Sequence, residues 1–226
     1  MPPPDDVRWQ FGCLSQRSCR REHPRSQVAL GNGTILSSKL CFARLTAFPM
    51  RSRYRVLERD FAHFVTGTTV GWLPVFTTAA CCDILVQSFQ YCRAHKALKL
   101  HAWVILDTHF HAIVAAPDLA RVLADLKRHT ARRIVEQLQA ERCDWLVEQL
   151  RCHRAPHKIE SEHQVWQEGS HPQAIRSDAI MLQKLEYLHN NPVKRGLVAS
   201  PEHWRYSSAH EWLPGANVEL RCDPWR

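Results

Sequence analysis

Leu98-Lys99-Leu100-His101-Ala102-Trp103-Val104-Ile105-Leu106-Asp107-Thr108-His109-Phe110-His111-Ala112-Ile113-Val114-Ala115 is the stretch that decides the fold. Two runs, Leu98 to Leu106 and His109 to Ala115, are rich in aliphatic, β-branched and aromatic residues and flank the short Asp107-Thr108. That pattern predicts two strands paired as a hairpin. Alternate side chains of a strand share a face, so His109 and His111 point one way while Phe110 points into the opposite layer.

Upstream, Phe61 to Val70 mixes aromatic, β-branched and threonine residues and reads as another strand, ending in a loop over Gly71 to Phe76 that contains Pro74. Thr77 or Thr78 is placed to cap a helix to about Lys96, with Ile84, Leu85, Phe89 and Cys92 at helical spacing. Downstream, Asp118 caps a helix continuing to about Ala140. Leu119, Val122, Leu123, Leu126, Thr130 and Ile134 form its core stripe, and Arg121, Lys127, Arg128, Arg132 and Arg133 lie largely off it. Residues 141–164 carry no clear period. Val165-Trp166-Gln167 begins a further strand, and Ser177 or Asp178 caps a helix that must end near Pro192. The tail, with Trp204, Trp212 and Trp225, is expected as a short helix and loops. Strand, helix, hairpin, helix, strand, helix is the order of an α+β protein, with a central antiparallel sheet and helices packed on one face in a ferredoxin-like sandwich.

The chain has 226 residues, 45% hydrophobic and 23% charged, the composition of a folded domain. No apolar run approaches the roughly 18–20 residues of a membrane span, and the polar, arginine-bearing start has no secretory h-region. A cytoplasmic protein with no membrane partner is expected. Net charge is +8, a mild basic bias that suits a phosphate-rich partner. Half of the excess lies in residues 1–49, which open with Pro2-Pro3-Pro4 and hold no period. Two readings of that segment are open: a disordered extension with a basic arm, or a stretch upstream of the true start at Met50, which is preferred. The domain is expected over 50–215, with 216–226 as a C-terminal tail. None of the nine cysteines forms a C-x-x-C pair, which argues against a zinc ribbon or thioredoxin motif and for a reducing compartment.

Imidazole is the commonest metal ligand, and two on one strand offer half of a divalent site. A second constellation is Leu185-Glu186-Tyr187-Leu188-His189-Asn190-Asn191-Pro192-Val193. Lys184, Tyr187 and Asn191 share one helical face if the last turn holds. Nucleophile, amide ligand and cation on one surface suit phosphoryl transfer. The same residues also suit a plain structural role, with Tyr187 anchoring the helix and Asn-Pro ending it. A residue before proline is pushed away from the helical region, so Asn190 and His189 compete with Asn191 as a ligand.

The stretch Ala102 to Val114, together with Tyr187-Leu188-His189-Asn190-Asn191-Pro192-Val193-Lys194-Arg195-Gly196-Leu197-Val198 and Trp204-Arg205-Tyr206-Ser207-Ser208-Ala209, resembles the REP-associated tyrosine transposases over roughly Arg53 to Trp212. These are single-tyrosine relatives of the insertion-sequence transposases. The resemblance implies an HUH sandwich and a metal-dependent transposase that cleaves and rejoins single-stranded DNA at hairpin repeats through a 5′-phosphotyrosine. It implies one divalent metal, Mg or Mn, held by His109, His111 and Asn191, with Tyr187 as nucleophile. DNA contact is then expected from Lys184, Arg121, Arg128, Arg132, Arg133, Lys194 and Arg195, and base stacking from Trp72 or Trp166. The departure is at Asp107-Thr108, where relatives often have asparagine before the first histidine; Thr108 puts that residue's outer bond to the ligand in doubt. Monomer and homodimer both occur among related enzymes. Two rivals stand beside this reading: a catalytically inactive, domesticated protein that binds repeat hairpins, and an unrelated metallohydrolase built on the two histidines.

Overall fold

The computed structural model describes residues 61–226 apart from 170, 216, 217, 219 and 226, so the readings made on 1–49 and 50–60 lie outside the described residues. One antiparallel sheet is built from β1 (His63–Thr68), β2 (Lys99–Ile105), β3 (His109–Ala115) and β4 (Gln173–Ala174), in the order β2-β3-β1-β4. Among the described residues five α-helices accompany it: α1 (Ala79–His95), α2 (Leu119–Ala140), α3 (Asp144–Cys152), α4 (Asp178–His189) and the single turn α5 (Asn191–Lys194). β1 and β2 both run antiparallel to β3, which lies between them. This is the split βαβ arrangement of a ferredoxin-like fold, as expected.

The hairpin closes as its sequence requires, with the Leu106 N–H donating to the His109 carbonyl at 2.8 Å across Asp107-Thr108. Gly67 of β1 lies opposite Phe110. A Cβ at Gly67 would stand 2.1 Å from the Phe110 ring, so only glycine lets that ring lie flat across the strand. The predicted caps are present: Thr78 Oγ1 accepts from the Cys81 N–H, Asp118 from the Arg121 N–H, and Ser177 Oγ from the Ile180 N–H. Every residue of the expected α2 stripe is buried.

Packing separates the two faces of the sheet. Val65, Trp103, Ile105, Phe110, Ala112 and Val114 meet Leu85 and Phe89 of α1 and Leu123, Leu126 and Ile134 of α2. Phe64, Ala102, Val104 and Ile113, on the other face, meet Met181 and Leu188 of α4. Each fully buried side chain of this size contributes about 1.5–3 kcal/mol. Helices therefore cover both faces rather than one. The reason is in β2 and β3, which carry apolar residues on both sides (Ala102, Val104 and Ile113 against Trp103, Ile105, Phe110 and Val114) and would leave the second set wet without α4.

Four local expectations change. Val165-Trp166-Gln167 does not begin the fourth strand: it meets the end of β1 in a single bridge, Thr69 to Trp166, and the strand forms only at Gln173–Ala174. Gly169 in the left-handed region and Pro172, which has no N–H, interrupt the ladder between them. Lys127 is buried, with its ammonium 6.0 Å from the Trp166 ring; its aliphatic stem packs inside the α2 layer. Residues 141–164 contain α3, whose Leu146 and Leu150 join the core. The chain beyond 215 returns to the sheet: Leu220 is buried, Asp223 accepts from the Leu100 N–H at 2.8 Å, and the Trp103 indole donates to the Leu220 carbonyl.

α4 stops at His189, close to the expected end, but Pro192 does not release the chain. Asn190 stays helical in conformation and Pro192 sits in the first turn of α5, where its missing N–H has no helical partner to lose. The Trp204 to Ala209 segment then lies against β2. Its Trp204 indole donates to the Ile105 carbonyl, the Ile105 N–H donates to the Tyr206 carbonyl, and Ser207 bridges Val104.

Candidate active site

The period of β3 sets the site. His109, His111 and Ile113 share the face covered by α4, and Phe110 lies under α1, where it meets Phe89 edge-on at 5.6 Å. The two imidazole centroids are 4.8 Å apart. The Tyr187 ring lies 5.5 Å from His111 and 5.8 Å from Phe64, while Phe64 stacks on His111 at 5.1 Å. Strand and helix thus bring His109, His111 and Tyr187 together, and Tyr187 remains 42% exposed.

Each imidazole is held through Nδ1. His111 Nδ1 lies 2.8 Å from Thr66 Oγ1, supplied by the residue directly opposite on β1, and His109 Nδ1 lies 3.0 Å from Thr108 Oγ1. In the tautomer that donates from Nδ1, the lone pair stands at Nε2. His111 Nε2 is buried with no hydrogen-bond partner. An orphaned acceptor in a nearly closed site, backed by an outer-shell hydroxyl, fits a metal ligand. Burial pushes His111 down to about 3, with the positive charges of His109 and Lys184 acting the same way. His109 is lowered too, by burial first and by Arg195 second, against the pull of Asp107. Both rings are therefore neutral in the range where a metal would compete with protons.

Thr108, which left the outer bond to the first histidine in doubt, stands beside that ring. It is buried, and its hydroxyl makes the bond to the first histidine. Asn191 is on the Tyr187 face as expected, but its Nδ2 donates to the Tyr187 carbonyl at 2.8 Å, and no recorded bond links it to an imidazole. That bond engages the amide nitrogen, so Oδ1 is the atom through which Asn191 could accept or coordinate. The competing residues are turned elsewhere. Asn190 Nδ2 donates to the Glu186 carbonyl, and His189 Nε2 lies 2.8 Å from Ser208 Oγ, with burial pushing that imidazole down to about 4. Among the described residues no group of three His, Cys, Asp or Glu is placed to hold a metal ion.

The basic residues divide into two sets. Lys184 Nζ lies 4.8 Å from the centre of the Phe64 ring and donates to Gln173 Oε1; Lys194 Nζ lies 5.5 Å from the centre of the Tyr187 ring. Arg195 pairs with Asp107 at 2.6 Å, tying the end of the α4–α5 segment to the turn before His109. These three belong to the imidazole face. Arg121, Arg128, Arg132 and Arg133 sit on α2, which packs against the opposite face, and Arg128, Arg132 and Arg133 are paired with Asp125 or Glu136. The structure does not bring them to the site. Trp166 is 5% exposed and donates from its indole to Thr130 Oγ1, so it has no face to offer a base. Trp72 is 60% exposed and stands edge-on to His109 at 5.7 Å.

Thr66 was missed in the sequence. A threonine on a strand carries no signal by itself; only the β1–β3 register puts it opposite His111. The Asp107–Arg195 pair was missed for the same reason, its members being 88 residues apart.

No family model matches the chain. Over 135 residues, 58% of this chain and 68% of its relative, it is 28% identical to a Haemophilus influenzae protein provisionally named REP-associated tyrosine transposase. Among solved structures, it matches a REP-associated tyrosine transposase bound to a REP hairpin with a TM-score of 0.51 and 18% identity, over 75% of this chain and 95% of that one. A protein from Deinococcus radiodurans, provisionally named a transposase, matches with a TM-score of 0.37 and 18% identity over 57% of this chain and 88% of that one. Among the described residues no helix is long and apolar enough to cross a membrane. The likeness read from the motifs therefore holds in sequence and in fold: this chain is similar to the REP-associated tyrosine transposases.

Proposed function

We propose that the chain is a single-strand DNA transesterase acting at hairpin repeats, with Tyr187 as nucleophile and His109 and His111 as ligands of a divalent metal. The observation that carries this reading is the convergence of two Nδ1-anchored imidazoles and an exposed tyrosine on one face of the sheet, 5.5 Å between the His111 and Tyr187 rings. The solved structure of similar fold holds a REP hairpin, which supports the substrate class.

In this reading the Tyr187 oxygen bonds to phosphorus as the P–O3′ bond breaks. The product is a 5′-phosphotyrosine and a 3′-hydroxyl, the phenol giving up one proton and the leaving oxygen taking one. The phosphotyrosine ester retains the energy of the broken bond, so the 3′-hydroxyl can reverse the step without ATP. A free phenol is largely protonated at neutral pH. The ammonium of Lys194 beside the Tyr187 ring and that of Lys184 over Phe64 place positive charge where the scissile phosphate would sit. A bound divalent ion would supply Lewis-acid polarisation of a phosphate oxygen. His109 and His111 would hold it through Nε2, with Asn191 Oδ1 as third ligand; imidazole donors favour Mn over Mg. A cytoplasmic site of action goes with this substrate.

The test is a denaturing gel after incubation with a hairpin-flanked single-stranded oligonucleotide and Mn or Mg. Wild type is expected to form a covalent adduct that EDTA prevents, and Tyr187→Phe to lose it by about 10³-fold or more. An adduct surviving in Tyr187→Phe assigns the wrong nucleophile. Specific binding to the oligonucleotide without any adduct favours the inactive hairpin-binding protein instead.

A further inference from the structure

We infer that Trp72 is a base-stacking platform that holds the nucleotide next to the scissile phosphate, an inference that rests on the single-strand DNA reading above. The motif that suggests the chemistry does not contain this residue; its geometry does. Gly71 and Trp72 both lie in the left-handed region, at φ of 60° and 56°, and the Leu73 N–H donates back to the Val70 carbonyl. A turn with two left-handed central residues is dominated by glycine, asparagine and aspartate. A tryptophan there is an outlier that the surrounding structure must enforce.

Four bonds enforce it. Thr69 Oγ1 donates to the Leu73 carbonyl at 2.7 Å, closing the turn, and shares its proton with the Thr108 carbonyl at 2.8 Å. The Thr69 N–H donates to the same Thr108 carbonyl at 2.9 Å, and the Val70 N–H donates to Val165. Thr108 is the residue whose hydroxyl fixes His109. One backbone junction therefore positions both the first metal-ligand candidate and the tryptophan. Gly71 also lies against the His153 ring, 2.6 Å from where its Cβ would be, so the turn cannot shift inward.

The result is a tryptophan 60% exposed whose ring meets that of His109 in a T-shaped contact at 5.7 Å. A buried tryptophan would explain the conformation by packing; this one gains little from the protein. A DNA base is the occupant that fits. It presents a flat π-face of matching size, it is tethered to the phosphate that the imidazoles face, and single-stranded substrate has such faces unpaired. Phosphate-binding groups recur on the same side, in Lys184 and Lys194, whereas no other exposed aromatic besides Tyr187 contacts either histidine among the described residues.

The test measures binding, without cleavage, of two probes in EDTA: a twenty-nucleotide dT strand, and an abasic strand of equal length and charge. Wild type should bind the dT strand roughly 5- to 100-fold more tightly, as one stacked base contributes. Trp72→Ala and Trp72→Gly should erase most of that ratio while binding the abasic strand as wild type does, and Trp72→Phe should keep part of it. Glycine suits the left-handed turn, so Trp72→Gly separates a lost platform from a damaged fold. An unchanged dT-to-abasic ratio in Trp72→Gly overturns the platform and leaves the transesterase reading standing. Failure of wild type to bind either strand overturns both.

Discussion

β3 shows the same strand put to two uses. On one face Phe110 is sealed between α1 and the sheet, with every neighbour apolar and a glycine opposite to make room. On the other, His109 and His111 are almost as buried, but each carries a polar ring fixed by a threonine, and His111 lies next to the exposed Tyr187. Burial alone does not distinguish the two faces. What distinguishes them is whether each buried polar atom has a partner, and His111 Nε2 has none. Such an atom costs stability, which marks a position where the structure accepts a local loss.

The contrast is broken most directly by Phe110→Ala and His111→Ala. Phe110→Ala should cost about 3–5 kcal/mol in urea denaturation, the usual cost of emptying an aromatic site in a core. His111→Ala, at similar burial, should stay within about 1–2 kcal/mol because it removes an unsatisfied nitrogen along with the ring. Equal losses would mean that the histidine face is ordinary core.

Titration sharpens the same difference. His189, His111 and His109 all have pKa values below the ordinary 6.5, His189 at about 4 and His111 at about 3. Folded-state values below unfolded ones mean that the unfolded chain takes up protons the fold refuses. Metal-free stability is therefore full above about pH 6.5 and falls as the pH drops toward 4. His189→Gln keeps a polar partner for Ser208 without titrating, so it should flatten that decline, by up to about 3 kcal/mol at pH 4. An unchanged slope would show that His189 is not held neutral. The smallest effect is expected from Thr66→Val, which keeps the shape of β1 but removes the partner of His111 Nδ1. Calorimetry should read roughly 10- to 100-fold weaker Mn binding. An unaltered affinity would take Thr66 out of the site.

How much of this was legible follows from how local each signal is. The hairpin, the α2 stripe and the Thr78, Asp118 and Ser177 caps depend on neighbours in sequence, and all were readable there. The alternation of His109, Phe110 and His111 across the sheet was readable for the same reason. Thr66, the Asp107–Arg195 pair and the fate of the two tryptophans depend on register and on which layer covers a residue. Trp72 and Trp166 look alike in composition, yet one is 60% exposed and the other 5%. Helix α4 covering the second face could have been inferred from Ala102-Trp103-Val104-Ile105, the consecutive apolar end of β2, since a half-exposed strand alternates throughout.

The bond between His189 and Ser208 has a consequence for the order in which the site is completed. The two residues are 19 apart, and the segment bearing Ser208 is also the one that bridges Val104 at the edge of the sheet. During synthesis the imidazoles of β3 emerge long before Tyr187, and the helix carrying Tyr187 emerges before the strap that fastens it. A nascent chain can thus display its metal-ligand candidates while Tyr187 is still untethered. The three side chains are fastened together only when the strap has cleared the ribosome.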